Sequence, residues 1–100
     1  MIDSGYIDFE WDPHKAELNA GKHAVTFEEA AESFYDPYAR TIDDPDHSDN
    51  EERFILIGMS MSARVLTVSH CVRGEGPIVR IISARKSTKN EECQYWRCRK

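Results

Sequence analysis

A chain of 100 residues, 40% apolar and 10% aromatic, can form one modest core. Eighteen acidic against 13 basic side chains give a formal net charge of -5 and a pI near 5.3, which argues against a stand-alone nucleic-acid-binding domain. No apolar run approaches the roughly 18 residues of a membrane span, and "MIDSGYIDFEW" has no basic n-region or apolar h-region, so no membrane partner and a cytoplasmic location are expected.

The charge is unevenly spread. Residues 1–52 carry 15 Asp/Glu and 3 Lys/Arg, a balance of -12, whereas residues 53–100 carry 3 and 10, a balance of +7. Such asymmetry predicts a two-signed surface, unless the two halves pair with each other in the fold. Cys71, Cys93 and Cys98 are odd in number and lack a C-x-x-C pair, so neither a disulfide framework nor a structural zinc site is expected.

In chain order, "IDFEWD" (7–12) alternates as a short strand does. Asp12-Pro13 supplies an N-cap and a proline at the first helical position, with Gly21 placed to end that helix. Thr26-Phe27-Glu28-Glu29 reads as a reciprocal capping box. Phe27, Ala30, Ala31 and Phe34 then recur at helical spacing, which predicts a second helix with both phenylalanines buried. Asp36-Pro37 breaks this helix, and "YARTI" begins a strand. "DDPDHSDNEE" (43–52) is a polar loop, and it fails the calcium-loop pattern because Asp49 stands where glycine is needed. "RFILIGMS", "RVLTVSHCV" and "IVRIISA", joined by turns at 60–63 and 73–77, predict an antiparallel meander. Ser87/Thr88 opens a last helix, with Glu91 and Glu92 in its first turn and Arg97, Arg99 and Lys100 in its last. The order β-α-α-β-β-β-β-α is an α+β fold, with two N-terminal helices, an antiparallel sheet and a C-terminal helix. One domain over residues 1–100 is expected.

Strand alternation gives Leu66, Val68 and His70 one face, and Ile78, Arg80 and Ile82 another. A register that joins these faces would set His70 beside Arg80, with Arg53, Arg85 and Lys86 converging on the same patch. Guanidinium and ammonium groups beside an imidazole suit phosphate chemistry. The alternative is that Arg80 and Arg85 pair with the acidic first half, and that His70 is a partly buried core histidine. His14 and His23 are badly spaced for a helix-borne zinc pair, and Ser83 lacks a nucleophile-elbow context.

Three strings, "FEWDPHKAELNAGKHAVTFEEAAESF", "DPDHSDNEERFILIG" and "IVRIISARKST", closely resemble the BrnT toxins of bacterial type II toxin–antitoxin modules. The resemblance runs from Phe9 to about Glu92. It implies a RelE-like compact fold and a ribonuclease that inhibits translation without a metal or other cofactor. It also implies a BrnA-type antitoxin with a ribbon-helix-helix part, through which alone the complex would touch operator DNA and repress its operon. Carried onto this chain, the catalytic set would be His70, Arg80, Arg85, Lys86 and Arg53. RNA contacts would come from Lys22, His23, Arg73 and Lys89. The rival reading is a catalytically inactive homologue that acts as a protein- or nucleic-acid-binding module.

Overall fold

The computed structural model describes residues 7–44, 53–73 and 78–98, the side chains of Arg73 and Cys98 excepted. Most of the expected polar loop, the tip of the 73–77 turn, and Arg99 and Lys100 lie outside the described residues. The elements are β1 (Asp8–Glu10), α1 (Pro13–His23), α2 (Phe27–Ser33), β2 (Arg40–Asp43), β3 (Phe54–Met59), β4 (Val65–Arg73), β5 (Ile78–Lys86) and α3 (Lys89–Cys98). Their order is the one expected from the sequence.

The helix starts follow from local chemistry. Asp12 caps α1 by accepting the His14 N–H at 2.8 Å, and Pro13 takes a position whose own N–H would have no helical partner. Gly21 does not end this helix. A lone glycine weakens a helix by about 1 kcal/mol without stopping it. The stop comes three residues later at Ala24, which turns left-handed (φ 58°) and donates its N–H to the Ala20 carbonyl. The surrounding fold holds that junction. Arg64 Nη2 donates to the Ala24 carbonyl, and Asn19 Nδ2 to the Val25 carbonyl, both at 3.0 Å.

Only half of the expected capping box of α2 forms. Thr26 Oγ1 accepts the Glu29 N–H at 3.0 Å. The Glu29 carboxylate turns instead to the Arg64 guanidinium and the Ser60 hydroxyl, tying α2 to the β3–β4 turn. Arg64 holds the Glu29 carboxyl below its usual range. The full box appears at α3, where Thr88 Oγ1 accepts the Glu91 N–H and Glu91 Oε1 accepts the Thr88 N–H.

The strands form one sheet in the order β1-β5-β4-β3-β2. The meander β3-β4-β5 is antiparallel, as is the β2–β3 pair. The sheet as a whole is mixed, because β1 runs parallel to β5 with Phe9 opposite Val79. Helices α1 and α2 lie on the crossover that a parallel pairing requires. Phe9 repays this placement by packing edge-on against Phe34, with ring centroids 5.3 Å apart.

Each sheet face has its own cluster. Under α1 and α2, Leu66, Val68, Val79, Ile81 and Ala84 meet Val25, Phe27 and Ala30. Under α3, Ile57 and Val65 meet Tyr95, whose hydroxyl donates to Asp36 Oδ2 at 2.6 Å. Gly58 is a steric necessity here. A Cβ at that position would lie 2.7 Å from the Ser33 carbonyl oxygen, where α2 ends against the sheet. Phe27 is fully buried as expected, whereas Phe34 is only partly buried because α2 ends at Ser33 and Phe34 is its C-cap.

His70 belongs to the first face. It is 4% exposed, edge-on to Phe34 at 4.8 Å and tilted against Phe54 at 5.9 Å. Its Nδ1 lies 3.3 Å from the Val68 carbonyl. Burial pushes its pKa down, partly offset by that carbonyl.

Two outcomes follow. Phe27→Ala should cost roughly 3–5 kcal/mol, read from urea unfolding, since it removes a fully buried ring. Below its ordinary value of 6.5, His70 takes up a proton more readily unfolded than folded, so stability should fall as pH drops through that value. The slope is at most about 1.4 kcal/mol per pH unit, and His70→Leu should flatten it.

Candidate nucleic-acid interface

Strand β1 covers β5 only from Ile78 to Arg80. Beyond Arg80, β5 has no strand neighbour on that side among the described residues. The Asn19 amide stands in for one at Ala84. It donates to the Ala84 carbonyl at 2.8 Å and accepts the Ala84 N–H at 3.1 Å. A buried asparagine thus satisfies both backbone groups of an otherwise bare edge position.

Just before Ala84 the ladder slips. His70 pairs with Ile81 and Ser69 with Ser83, so Ile82 has no counterpart on β4. This bulge reverses the alternation of β5. Cys71 faces Arg80, Ser69 faces Ser83 and Thr67 faces Arg85, all on the α3 side of the sheet. Arg53 extends β3 by one residue, accepting the Asp44 N–H, and continues the alternation of Ile55 and Ile57 on that side. Arg53, Arg80 and Arg85 therefore share one face, as expected from the sequence. They form a track along it, since Arg80 and Arg85 are roughly 15 Å apart along the strand.

His70 does not join them. The expected register set it beside Arg80, but it pairs with Ile81 on the opposite face. The cause is core packing. Leu66 and Val68 must meet Ala84 and Ile81 under the helices, and a one-residue slip would expose that whole set.

Arg85 is pinned in place. Its Nη1 and Nη2 donate to the two Glu91 oxygens at 2.8 and 2.9 Å, a bidentate fork. Glu91 Oε1 also accepts from Thr67 Oγ1 and from the Thr88 N–H, each at 2.9 Å. With so many donors, Arg85 foremost, the Glu91 carboxyl falls to about 2. The Arg85 side chain remains 40% exposed. Among the described residues its Nε–H and one Nη2–H have no hydrogen-bond partner. Arg80 is held more loosely by Glu10, at 3.2 Å. The Arg53 Nε is buried without a partner among the described residues.

Lys86 does not join the track: beyond the bulge it pairs with Leu66 and falls on the opposite face from its neighbour Arg85, while Lys22 and His23 lie at the uncovered edge of β5. Lys22 and His23 close α1 and line a groove of about 430 Å³ with Lys15, Asn19, Ile82 and Ser83. Lys86 ends β5 and Lys89 begins α3, both exposed. Among the described residues no carboxylate pairs with Lys22, Lys86 or Lys89. The Arg73 side chain lies outside the described residues.

Sequence reasoning assigned Glu91 only to a helix dipole and gave Asn19 no role. The Thr88-x-x-Glu91 spacing of a capping box was the available signal for Glu91. Asn19 left none, because its partner on β5, Ala84, lies 65 residues away.

A family model described as "Ribonuclease toxin, BrnT, of type II toxin-antitoxin system" matches residues 11–91. Among solved structures, the 1.1 Å crystal structure of the Brucella abortus ribonuclease toxin BrnT is similar, with a TM-score of 0.63. The similarity holds at 19% identity and covers 84% of this chain and 100% of that one, so it speaks to the fold. No curated protein matches the chain. On a family match across most of its length, the chain belongs to the BrnT family of ribonuclease toxins of type II toxin–antitoxin systems.

Proposed function

We propose that this chain cuts RNA on the α3-side face of its sheet, without a metal, and so inhibits translation. The observation that carries this reading is the shared face of Arg53, Arg80 and Arg85, with Arg85 oriented by Glu91. In the cleavage, the 2′-oxygen loses its proton and bonds to phosphorus. The bond to the 5′-oxygen breaks and that oxygen gains a proton, leaving a 2′,3′-cyclic phosphate and a 5′-hydroxyl. The transition state carries extra negative charge on the phosphate oxygens. Arg85 is the best placed to meet it, since its guanidinium is already fixed and its two remaining N–H groups cost little reorganisation. Arg53 and Arg80 hold the chain of phosphates further along the track. Lys22, His23, Lys86 and Lys89 guide RNA across the uncovered edge of β5, with Arg73 as a further contact. His70 takes no part, because it faces the opposite core.

The partner is a BrnA-type antitoxin with a ribbon-helix-helix part. The complex represses its own operon and reaches operator DNA through the antitoxin alone. The unit is a single domain spanning residues 1–100, acting in the cytoplasm.

The test is a cleavage assay on purified chain with defined RNA. Arg85→Ala should lose at least ~100-fold in rate while remaining folded, the scale for one oriented charge donor. Full activity in that folded variant would refute the assignment. Glu91→Gln separates orientation from charge. The amide can still cap α3, so the fold should hold, but Arg85 loses its fork and cleavage should fall on the order of tenfold. The same variant has an acid signature. A carboxyl held near 2 instead of 4.5 stabilises the fold above about pH 4.5, and that contribution is lost as pH falls toward 2. Unfolding curves at pH 3 and pH 6 should therefore differ less in Glu91→Gln than in the parent chain.

A further inference from the structure

A groove of about 660 Å³ runs beside α2, away from the arginine track. Its lining is largely apolar, with Phe9, Ala31, Tyr35, Met59 and Met61. Tyr35 is 50% exposed and Met61, on the β3–β4 turn, is 86% exposed. Glu28 and Glu32 also line it. Glu32 accepts the Met61 N–H at 3.0 Å, which holds the turn against the helix. Arg64, the nearby cation, is committed to Glu29. Among the described residues no cation pairs with Glu28 or Glu32.

We infer that this groove is the docking site for an amphipathic helix of the antitoxin, with apolar anchors on one face and Lys or Arg along its flanks. The assignment rests on the toxin–antitoxin reading above and adds where the partner sits. Two properties of the groove select such an occupant. Its lining of methionine and aromatic rings offers adaptable contacts for apolar side chains spaced one helical turn apart. Its unpaired carboxylates attract cations and repel phosphates, which favours a basic protein segment over RNA. Lining charge of one sign also sets the direction and register in which the helix lies. Because none of the residues lining the groove belongs to the arginine track, a partner anchored here grips the toxin apart from the guanidiniums assigned to RNA.

The probe is a BrnA-type ribbon-helix-helix protein, titrated calorimetrically into the full chain. Glu28→Lys and Met61→Glu sit at exposed positions, so folding should be kept. Each is expected to raise the Kd on the order of tenfold or more, by placing like charge or a carboxylate against the helix. Each should leave RNA cleavage by the free chain unchanged. Glu17→Lys, an equal charge reversal on exposed α1, should leave the Kd unchanged. Equal weakening by Glu17→Lys would reduce the effect to net charge and overturn the assignment. Tight binding that ignores both groove variants would also overturn it, with the toxin–antitoxin reading intact. Altered RNA affinity in the groove variants, or a change in the chain's own oligomeric state, would assign the groove to RNA or to a second copy and overturn it as well. Failure of the parent chain to bind the probe at all would refute the partner reading itself.

Discussion

Arg80 and Arg85 are five residues apart on one strand. In a regular strand an odd separation puts two side chains on opposite faces. They share a face only because Ile82 is an extra residue in the β4–β5 ladder. The same insertion lets Val79, Ile81 and Ala84 all enter the core under α1 and α2. One irregularity therefore fills the core and builds the track. A bulge on an edge strand leaves backbone groups exposed, and the Asn19 amide satisfies those of Ala84, two residues beyond the inserted Ile82. By tying β5 to α1, Asn19 also brings Lys22 and His23 to the edge that the bulge leaves uncovered.

What the sequence made legible was local. The Asp12-Pro13 start, the Thr26 cap, the apolar face of α2 and the three meander strands each rest on residues within one turn or one hairpin. What it hid was non-local. Nothing near Phe9 signals that β1 will lie parallel to a strand 70 residues on. Alternation placed His70 correctly with Leu66 and Val68, but it could not say which face of β5 that set would meet. Core packing decided it, and it decided against the imidazole. The grouping of Arg80 with Arg85 was expected from the clustering of cations, and it holds through a bulge that no local signal announced.

The acidic first half is partly consumed within the fold. Glu29 pairs with Arg64, Glu10 with Arg80, and Asp36 accepts from Met59, Tyr38 and Tyr95. The two halves do pair, as the plainer reading of the charge asymmetry had it. Yet Arg85 pairs within its own half, with Glu91, and among the described residues no cation pairs with Glu28 or Glu32. Both readings of the asymmetry are realised, at different places on one small surface.

Glu91 joins two tasks that are usually separate. Its carboxylate completes the cap of α3 and fixes the Arg85 fork. The seat of α3 and the geometry of the track therefore depend on one side chain. A free arginine would carry more net positive charge toward RNA but would lose rotamer entropy on binding. A pinned one attracts RNA less at long range, since the carboxylate cancels much of its field, but it is already in place when the phosphate arrives. An acidic chain cannot rely on a broad positive field to gather RNA. On the proposed reading, orientation of a few guanidiniums, rather than abundance of charge, is the means that this fold leaves open to it.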